Sequence, residues 1–402
     1  LSTTARRPSL PSALYLALAL LGVGTLAHHP ARAQEGNPTV GVMQPFLGDP
    51  DVERFIDEMV AKHGFDAATL HRDFALTAPN KAVLKAIAPP TRVEQRSWVR
   101  YRERFVNVRR VSSGLAFMAE HAQELVEAQA QYGVPKEIIA AIIGVETEYG
   151  QNPGRFKVFE ALATLAFRYP PRAPFFRSEL EQFLLLAREN GMDDLAVKGS
   201  YAGAIGIPQF MPSSQRHYAV DFDGNGQIDL RGSSCDAIGS VAAFLAAHGW
   251  QRDEGIAIPV QIADAQAQAL VDEGIRPQRT LAELTERGVI LPSPQTNSGT
   301  VWDRKAALVD LVSPEAPTQY WLGFDNFFVI TRYNRSSFYA MSVFQLAEAL
   351  REAKVDGVPV TARVVSDGRS TGTRTVPAAA RATGRHQPAS KSGSRGKRHA
   401  AG

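Results

Sequence analysis

The chain has 402 residues, 44% of them apolar and 21% charged, with a formal net charge of +3. That length exceeds one usual domain, and the composition is that of a globular protein able to bury a large core. The single cysteine, Cys235, excludes an intramolecular disulfide in any compartment.

The first 33 residues read as a targeting segment. Arg6 and Arg7 precede an apolar run from Ala13 to Ala27, and Ala31-Arg32-Ala33 follows. This order of positive, apolar and small-x-small regions describes a secretory signal. The alternative is an uncleaved membrane anchor, for which the run is short. No other segment is long and apolar enough to cross a membrane. Cys235 lies far from the signal, so it is no N-terminal lipid attachment point; a small buried side chain is its expected role.

From Asp49 to about Gln131 the pattern is helical. Val52, Phe55, Ile56 and Met59 recur at three-four spacing, and Val83, Leu84 and Ile87 repeat it before the Pro89-Pro90 break. A helix is expected from Ser112 to Tyr132, ending at Gly133, and another from Pro135 to Tyr149 capped by Gly150. Further helices are expected at Val158–Phe167, Phe175–Asn190 and Ala237–His248. Between about Gln251 and Phe328 short β-prone runs alternate with turns: Ile256–Ile262, Val301–Val312 and Phe327–Thr331, with a helical patch near Asp264–Glu273. A last helix, Ser336 to Ala353, places Val343, Leu346, Ala347 and Leu350 on one face.

Three segments carry chemistry. On the helix after Pro135, Ile139, Ile142, Ile143 and Glu146 share one face, so Glu146 continues an apolar stripe while Glu148 points elsewhere. A carboxyl in apolar surroundings has a raised pKa, which suits a general acid; the bland alternative is a helix-end glutamate paired with an arginine or reaching water. Ser200 to Ser214 is a glycine-rich loop in which Gly203 and Gly206 permit close backbone approach and Gln209 can both donate and accept, with Ser213 or Ser214 suited to a helix N-cap. A structural turn with a buried glutamine explains it equally well. Asp221-Phe-Asp-Gly-Asn-Gly-Gln-Ile-Asp229 matches the first part of an EF-hand loop, but position 12 is Gly232; Asp236 is the candidate for the missing carboxylate. An Asx-rich turn without metal is the alternative. Any calcium here would brace structure, as disulfides often do in exported proteins.

Gly144-Val-Glu-Thr-Glu-Tyr-Gly150, Gly203-Ala-Ile-Gly-Ile-Pro-Gln-Phe-Met-Pro-Ser-Ser214, the Asp221–Asp229 loop with Asp236-Ala-Ile-Gly-Ser240, and Arg332-Tyr-Asn-Arg-Ser-Ser-Phe-Tyr339 occur in this order. The set resembles the lytic murein transglycosylase B family from about Phe46 to Ala353. The resemblance implies a mainly α (α+β) fold: a helical domain over 40–131, a lysozyme-like catalytic core with the calcium loop over 132–250, a small β-containing domain over 251–328, and a return to the core over 329–355. It implies Glu146 as the catalytic acid, sugar contacts at Ser200, Gln209, Tyr333, Asn334 and Tyr339, and calcium ligands at Asp221, Asp223, Asn225, Gln227 (through its backbone) and Asp236. Two subsite aromatics of the family are expected to be replaced here by His121 and Phe244.

The implied function is cleavage of the MurNAc–GlcNAc β-1,4 bond of peptidoglycan with formation of a 1,6-anhydro ring, by one carboxyl and with no organic cofactor. The alternatives are a muramidase that uses water and a non-catalytic peptidoglycan-binding scaffold. Partners are then glycan strands, with other cell-wall enzymes left open and nucleic acid excluded. With no lipid-bearing cysteine, the expected location is the periplasm, without a membrane span after signal cleavage. Residues 361–402 hold nine Lys and Arg against Asp367, so this tail carries about +8 and the rest about −5. The tail has no apolar periodicity and is expected to be disordered.

Overall fold

A computed structural model describes residues 45–88, 96–292 and 302–356. The signal segment and the basic tail lie outside the described residues. So does Pro89-Pro90.

Helix α1 (Pro50–His63) begins where Asp49 accepts from the Asp51 amide at 2.8 Å, and stops at Gly64 in the left-handed region. It buries the expected Val52, Phe55, Ile56 and Met59. Helices α2 (Ala67–Ala75) and α3 (Lys81–Ile87) start at the side-chain caps Asp66 and Asn80. Their apolar faces close over two later helices, α8 (Val158–Arg168) and α9 (Ala173–Glu189). Phe46, Phe55, Phe74, Phe159 and Phe167 interlock there, mostly edge to face.

The second core gathers α4 (Trp98–Phe105), α5 (Val108–Glu120), α6 (Ala122–Tyr132), α7 (Lys136–Thr147), α11 (Ser234–Ala247), α14 (Asp325–Tyr333) and α15 (Ser337–Asp356). The single helix expected over Ser112–Tyr132 is two, broken at His121 (φ −111°, ψ 37°). The break lets α6 face α11 while α5 faces α7 and α15. In α7 burial is not confined to a stripe: Ile138, Ile139, Ala140, Ala141, Ile142 and Ile143 are all inaccessible, the pattern of a central helix. Each isoleucine so buried contributes about 2 kcal/mol. The two cores cut across residue 131, since the first three helices share theirs with residues 158–211 and the next three with residues 207–350.

The sheet has the order β3 (Ala257–Val260), β6 (Ala316–Gly323), β5 (Lys305–Ser313), β4 (Arg279–Thr280), all antiparallel. Helices α12 (Asp264–Val271) and α13 (Leu281–Glu286) join its core through Ala267, Leu270, Leu281 and Leu284. Two expectations change here. Strand β6 was not anticipated, and the β-prone run Phe327–Thr331 lies inside α14. Its Phe327, Val329 and Ile330 are buried in the second core beside α11 and α15, and that packing overrides local β propensity. A short antiparallel ribbon pairs β1 (Phe156–Lys157), just ahead of α8, with β2 (Lys198–Gly199), which follows α9. The last helix, α10 (Pro212–Tyr218), follows the glycine-rich loop.

Candidate active site

Helix α7 ends in three consecutive residues with positive φ: Glu148 (52°), Tyr149 (60°) and Gly150 (82°). The C-cap is Glu148, not the Gly150 expected from the sequence. Left-handed backbone at a residue with a side chain costs of order 1 kcal/mol, so something must hold it. Thr147, fully buried, donates through Oγ1 to the Ile207 carbonyl at 2.8 Å and accepts from the Gly150 amide at 2.9 Å. Glu148 turns away from Glu146 to Arg110 at 2.9 Å, Arg109 at 3.2 Å and Asn152 at 2.9 Å. Arg110 also donates to the Gly144 carbonyl. Gly114 and Gly144 leave room for the Tyr149 ring, which a Cβ at either position would strike.

Glu146 is left half-buried. Its Oε1 accepts from the Tyr339 hydroxyl at 2.7 Å. Burial pushes its carboxyl up to about 7, against the downward pull of the Tyr339 hydrogen bond. No arginine, lysine or second carboxyl contributes to that shift. Burial, and next the charge of Glu146, drives the phenols of Tyr101, Tyr333 and Tyr339 upward. Tyr333 and Tyr339 stack at 6.4 Å and 13°. Tyr101, on α4, went unnoticed in the sequence. It lies in the arginine-rich run Trp98-Val-Arg-Tyr-Arg-Glu-Arg-Phe105, where no spacing marks it, and it reaches the site only through packing on Phe338 at 5.6 Å.

The loop from Ser200 to Ser214 packs against the end of α7 through Thr147 and Ile207, and against Tyr333 through Pro208. Ser200 Oγ accepts from the amides of Ala204 at 3.0 Å and Ala202 at 3.3 Å. Gly206 (φ 77°) lies against the Leu230 backbone where a Cβ would collide. Gln209, itself at φ 52°, donates through Nε2 to Pro153 O and Gly206 O, both at 2.9 Å. Tyr333 donates to Pro208 O at 2.5 Å, so its hydroxyl fixes this loop. Asn334, buried, ends α14 beside Ser336. Ser213 and Ser214 do not cap α10, whose N-cap is Met211. Buried Glu179 of α9 does that work, accepting from Ser213 N at 3.0 Å and Ser213 Oγ at 2.6 Å. Burial raises its pKa.

The two positions expected to replace family aromatics both pack against other rings. Phe244 is buried among Tyr333, Phe210, Tyr218 and His248, with ring centroids 4.1–5.5 Å away. His121 leans on Phe117 at 4.7 Å.

Where the loop 221–229 meets the first turn of α11, carboxylate oxygens of Asp221, Asp223 and Asp236 lie within 4.8 Å of one another. Asp221 accepts from the amides of Gly226 at 2.7 Å and Asn225 at 3.1 Å; Asn225 accepts from Gln227 N at 2.8 Å. Asp236, fully buried, ties both limbs by accepting from Phe222 N at 2.9 Å and Asp229 N at 2.8 Å. Three clustered carboxylates with an amide oxygen and a nearby carbonyl fit a hard, oxygen-seeking cation. Cys235 is partly exposed rather than buried. Burial first, then the acids Glu124, Asp223, Asp236 and Glu127, push its thiol up to about 11, so it is no thiolate nucleophile at neutral pH.

Residues 48–348 match the transglycosylase SLT domain. The chain is 42% identical over 329 residues to membrane-bound lytic murein transglycosylase B of Escherichia coli K12, covering 79% of this chain and 88% of that one. Among solved structures it is similar to the Escherichia coli lytic transglycosylase Slt35 in complex with calcium (40% identity, TM-score 0.69, 78% of this chain and 96% of that). It is also similar to SltB3 from Pseudomonas aeruginosa in complex with NAG-NAM-pentapeptide (32%, TM-score 0.64, 78% and 82%). Fold and site thus define a helix-rich enzyme of lysozyme-like architecture. The chain belongs to the lytic murein transglycosylase family that carries the SLT domain.

Proposed function

We propose that this transglycosylase cuts the β-1,4 bond between N-acetylmuramic acid and N-acetylglucosamine in peptidoglycan, with Glu146 as acid and then base. One observation carries the reading: Glu146 is half-dry, touches a phenol, and among the described residues has no cation or second carboxyl shifting its charge. A carboxyl titrating near 7 is present in both forms at neutral pH, as a group that gives and then takes a proton must be. Most glycosidases need a second carboxylate, but substrate-assisted ones do not.

The protonated Glu146 gives its proton to the glycosidic oxygen as the bond to the muramic C1 breaks. N-acetylglucosamine leaves with a free 4-hydroxyl. The substrate's acetamide steadies the charge at C1. The Glu146 carboxylate then removes the muramic 6-hydroxyl proton, and that oxygen bonds to C1. No water is consumed, and the acid is regenerated. Tyr339 holds the carboxyl in place. Gln209, whose side chain donates only through its nitrogen, keeps its oxygen for a sugar donor; Ser200 and Asn334 complete the wall, and Tyr333 fixes the loop and offers a ring face.

Asp221, Asp223, Asn225 and Gln227 (through its carbonyl), with Asp236 beneath, would hold a calcium ion that braces the loop against α11; it takes no part in the chemistry. Export to the periplasm through the signal segment follows from the substrate. Among the described residues no helix is long and apolar enough to cross a membrane.

The test is mass spectrometry of muropeptides released from purified sacculi. Wild type yields products one water lighter than hydrolysis gives, and Glu146→Gln loses at least about 10³-fold in rate, the scale of general acid–base catalysis. Products carrying that water point to a muramidase. Undiminished clearance by Glu146→Gln removes the glutamate from the reaction.

A further inference from the structure

The β1–β2 ribbon carries lysines that have no ion-pair partner among the described residues. In β1 and β2, Lys157 stands directly opposite Lys198. Opposed residues of an antiparallel pair share a face with Cβ atoms about 5 Å apart, where like charges destabilise the pairing. Both lysines are exposed. Lys157 is also the N-cap of α8, the helix end that disfavours a cation. Arg155, exposed, lies over the Phe156 ring at 5.9 Å. Phe156 meets Tyr201 edge-on at 6.5 Å. Beyond Tyr201, the guanidinium of Arg172 sits 4.7 Å from the rings of both Phe175 and Phe176, and burial lowers its pKa against the influence of Tyr169 and Tyr201. Among the described residues none of these four cations has a carboxylate within ion-pair distance.

The patch abuts the acid's surroundings by three links. Strand β2 runs directly into Ser200. The Gln209 side chain bonds to Pro153 O, two residues before Arg155. Gly154, at φ 98°, lies so close to the Gly199–Ser200 backbone that a Cβ would collide. Folding stability gives no reason to oppose two lysines here or to set one at a helix N-terminus; of the four, only Arg155 and Arg172 gain from the rings they pack on. A ligand gives that reason.

We propose that Arg155, Lys157, Lys198 and Arg172 bind the carboxylates of the peptide stem borne by the muramic acid in the groove. This rests on the glycan substrate proposed above. The stem leaves the sugar ring laterally and carries carboxylates at its end and on its acidic residues. An extended stem of a few residues spans about 3.5 Å per residue, enough to cross from Ser200 to the β1–β2 ribbon. SltB3, the solved relative that holds NAG-NAM-pentapeptide, has such a stem as part of its ligand. Exposed lysines serve it as point charges whose attraction weakens with salt.

The experiment compares glycan strands with intact stems against the same strands stripped by an amidase, using the full chain. For the double variant Lys157→Gln/Lys198→Gln, KM on intact strands rises about 3- to 10-fold, as two exposed ion pairs allow, with kcat unchanged. On stripped strands KM does not move. Lys157→Arg/Lys198→Arg restores the wild-type KM, and raising salt erases the wild-type preference for intact strands. Equal losses on both substrates, or no change on either, overturn the proposal. A wild type that releases no anhydro product even from stripped strands overturns the glycan reading itself, a failure separable from that of the patch.

Discussion

The end of α7 and the junction of the 221–229 loop with α11 both present carboxylates, and they hold them by opposite means. Glu146 is surrounded by aromatic rings and receives one hydrogen bond, from a phenol. Asp221 and Asp236 each receive two, all from backbone amides. The first arrangement leaves a group free to change its proton; the second arranges oxygens about a common point. What surrounds a carboxyl, more than where it lies in the chain, decides whether it can serve as an acid or as a ligand.

The largest test of this contrast falls on Thr147, whose hydroxyl holds up the strained turn behind Glu146. Thr147→Val keeps the shape but strands the buried Ile207 carbonyl and the part-buried Gly150 amide. Two such unsatisfied groups cost about 3 kcal/mol together. The variant should unfold at lower denaturant by that margin and lose activity out of proportion to its remaining folded fraction. Thr147→Ser, which keeps the hydroxyl, should recover most of both. The next test is on the loop. Asp236→Asn turns an amide donor toward the Phe222 or Asp229 N–H and should cost about 2 kcal/mol. Added calcium should raise the wild-type melting temperature and leave that of Asp236→Asn nearly unmoved. Equal shifts in the two proteins would place the ion elsewhere.

The same contrast explains what could be read from the sequence. Glu146 stood out because an acid at the next position of an isoleucine stripe breaks a local pattern, and the Asp221–Asp229 spacing is likewise local. Thr147 and Tyr101 break no pattern; their meaning lies in Ile207 and Phe338, 60 and more residues away. The run Phe327–Thr331 misled because its β-rich composition is local while its burial beside α11 and α15 is not. Similarly, Ser213 has the chemistry of a cap, and only the fold shows that Glu179 supplies the acceptor. Helices α1 and α3 matched their periodicity, yet no periodicity says that α8 and α9 are their partners.

The smallest effect is also the most specific to the acid. The Tyr339 hydrogen bond pulls the Glu146 pKa down while burial pushes it up. Tyr339→Phe removes the downward influence alone, so the carboxyl should titrate above about 7, by about one to two units for a lost hydrogen bond to a charged group. The protonated form starts the reaction, so kcat/KM falls as pH rises through that pKa. In Tyr339→Phe this alkaline limb should therefore move to higher pH, even if the maximum rate drops because the carboxyl is less well held. If Glu146 were instead governed by a hidden cation, losing a neutral phenol would leave the limb where it is. A limb that moves to lower pH would mean that the phenol keeps water away from the acid more than it bonds to it, and that dryness depends on this one ring.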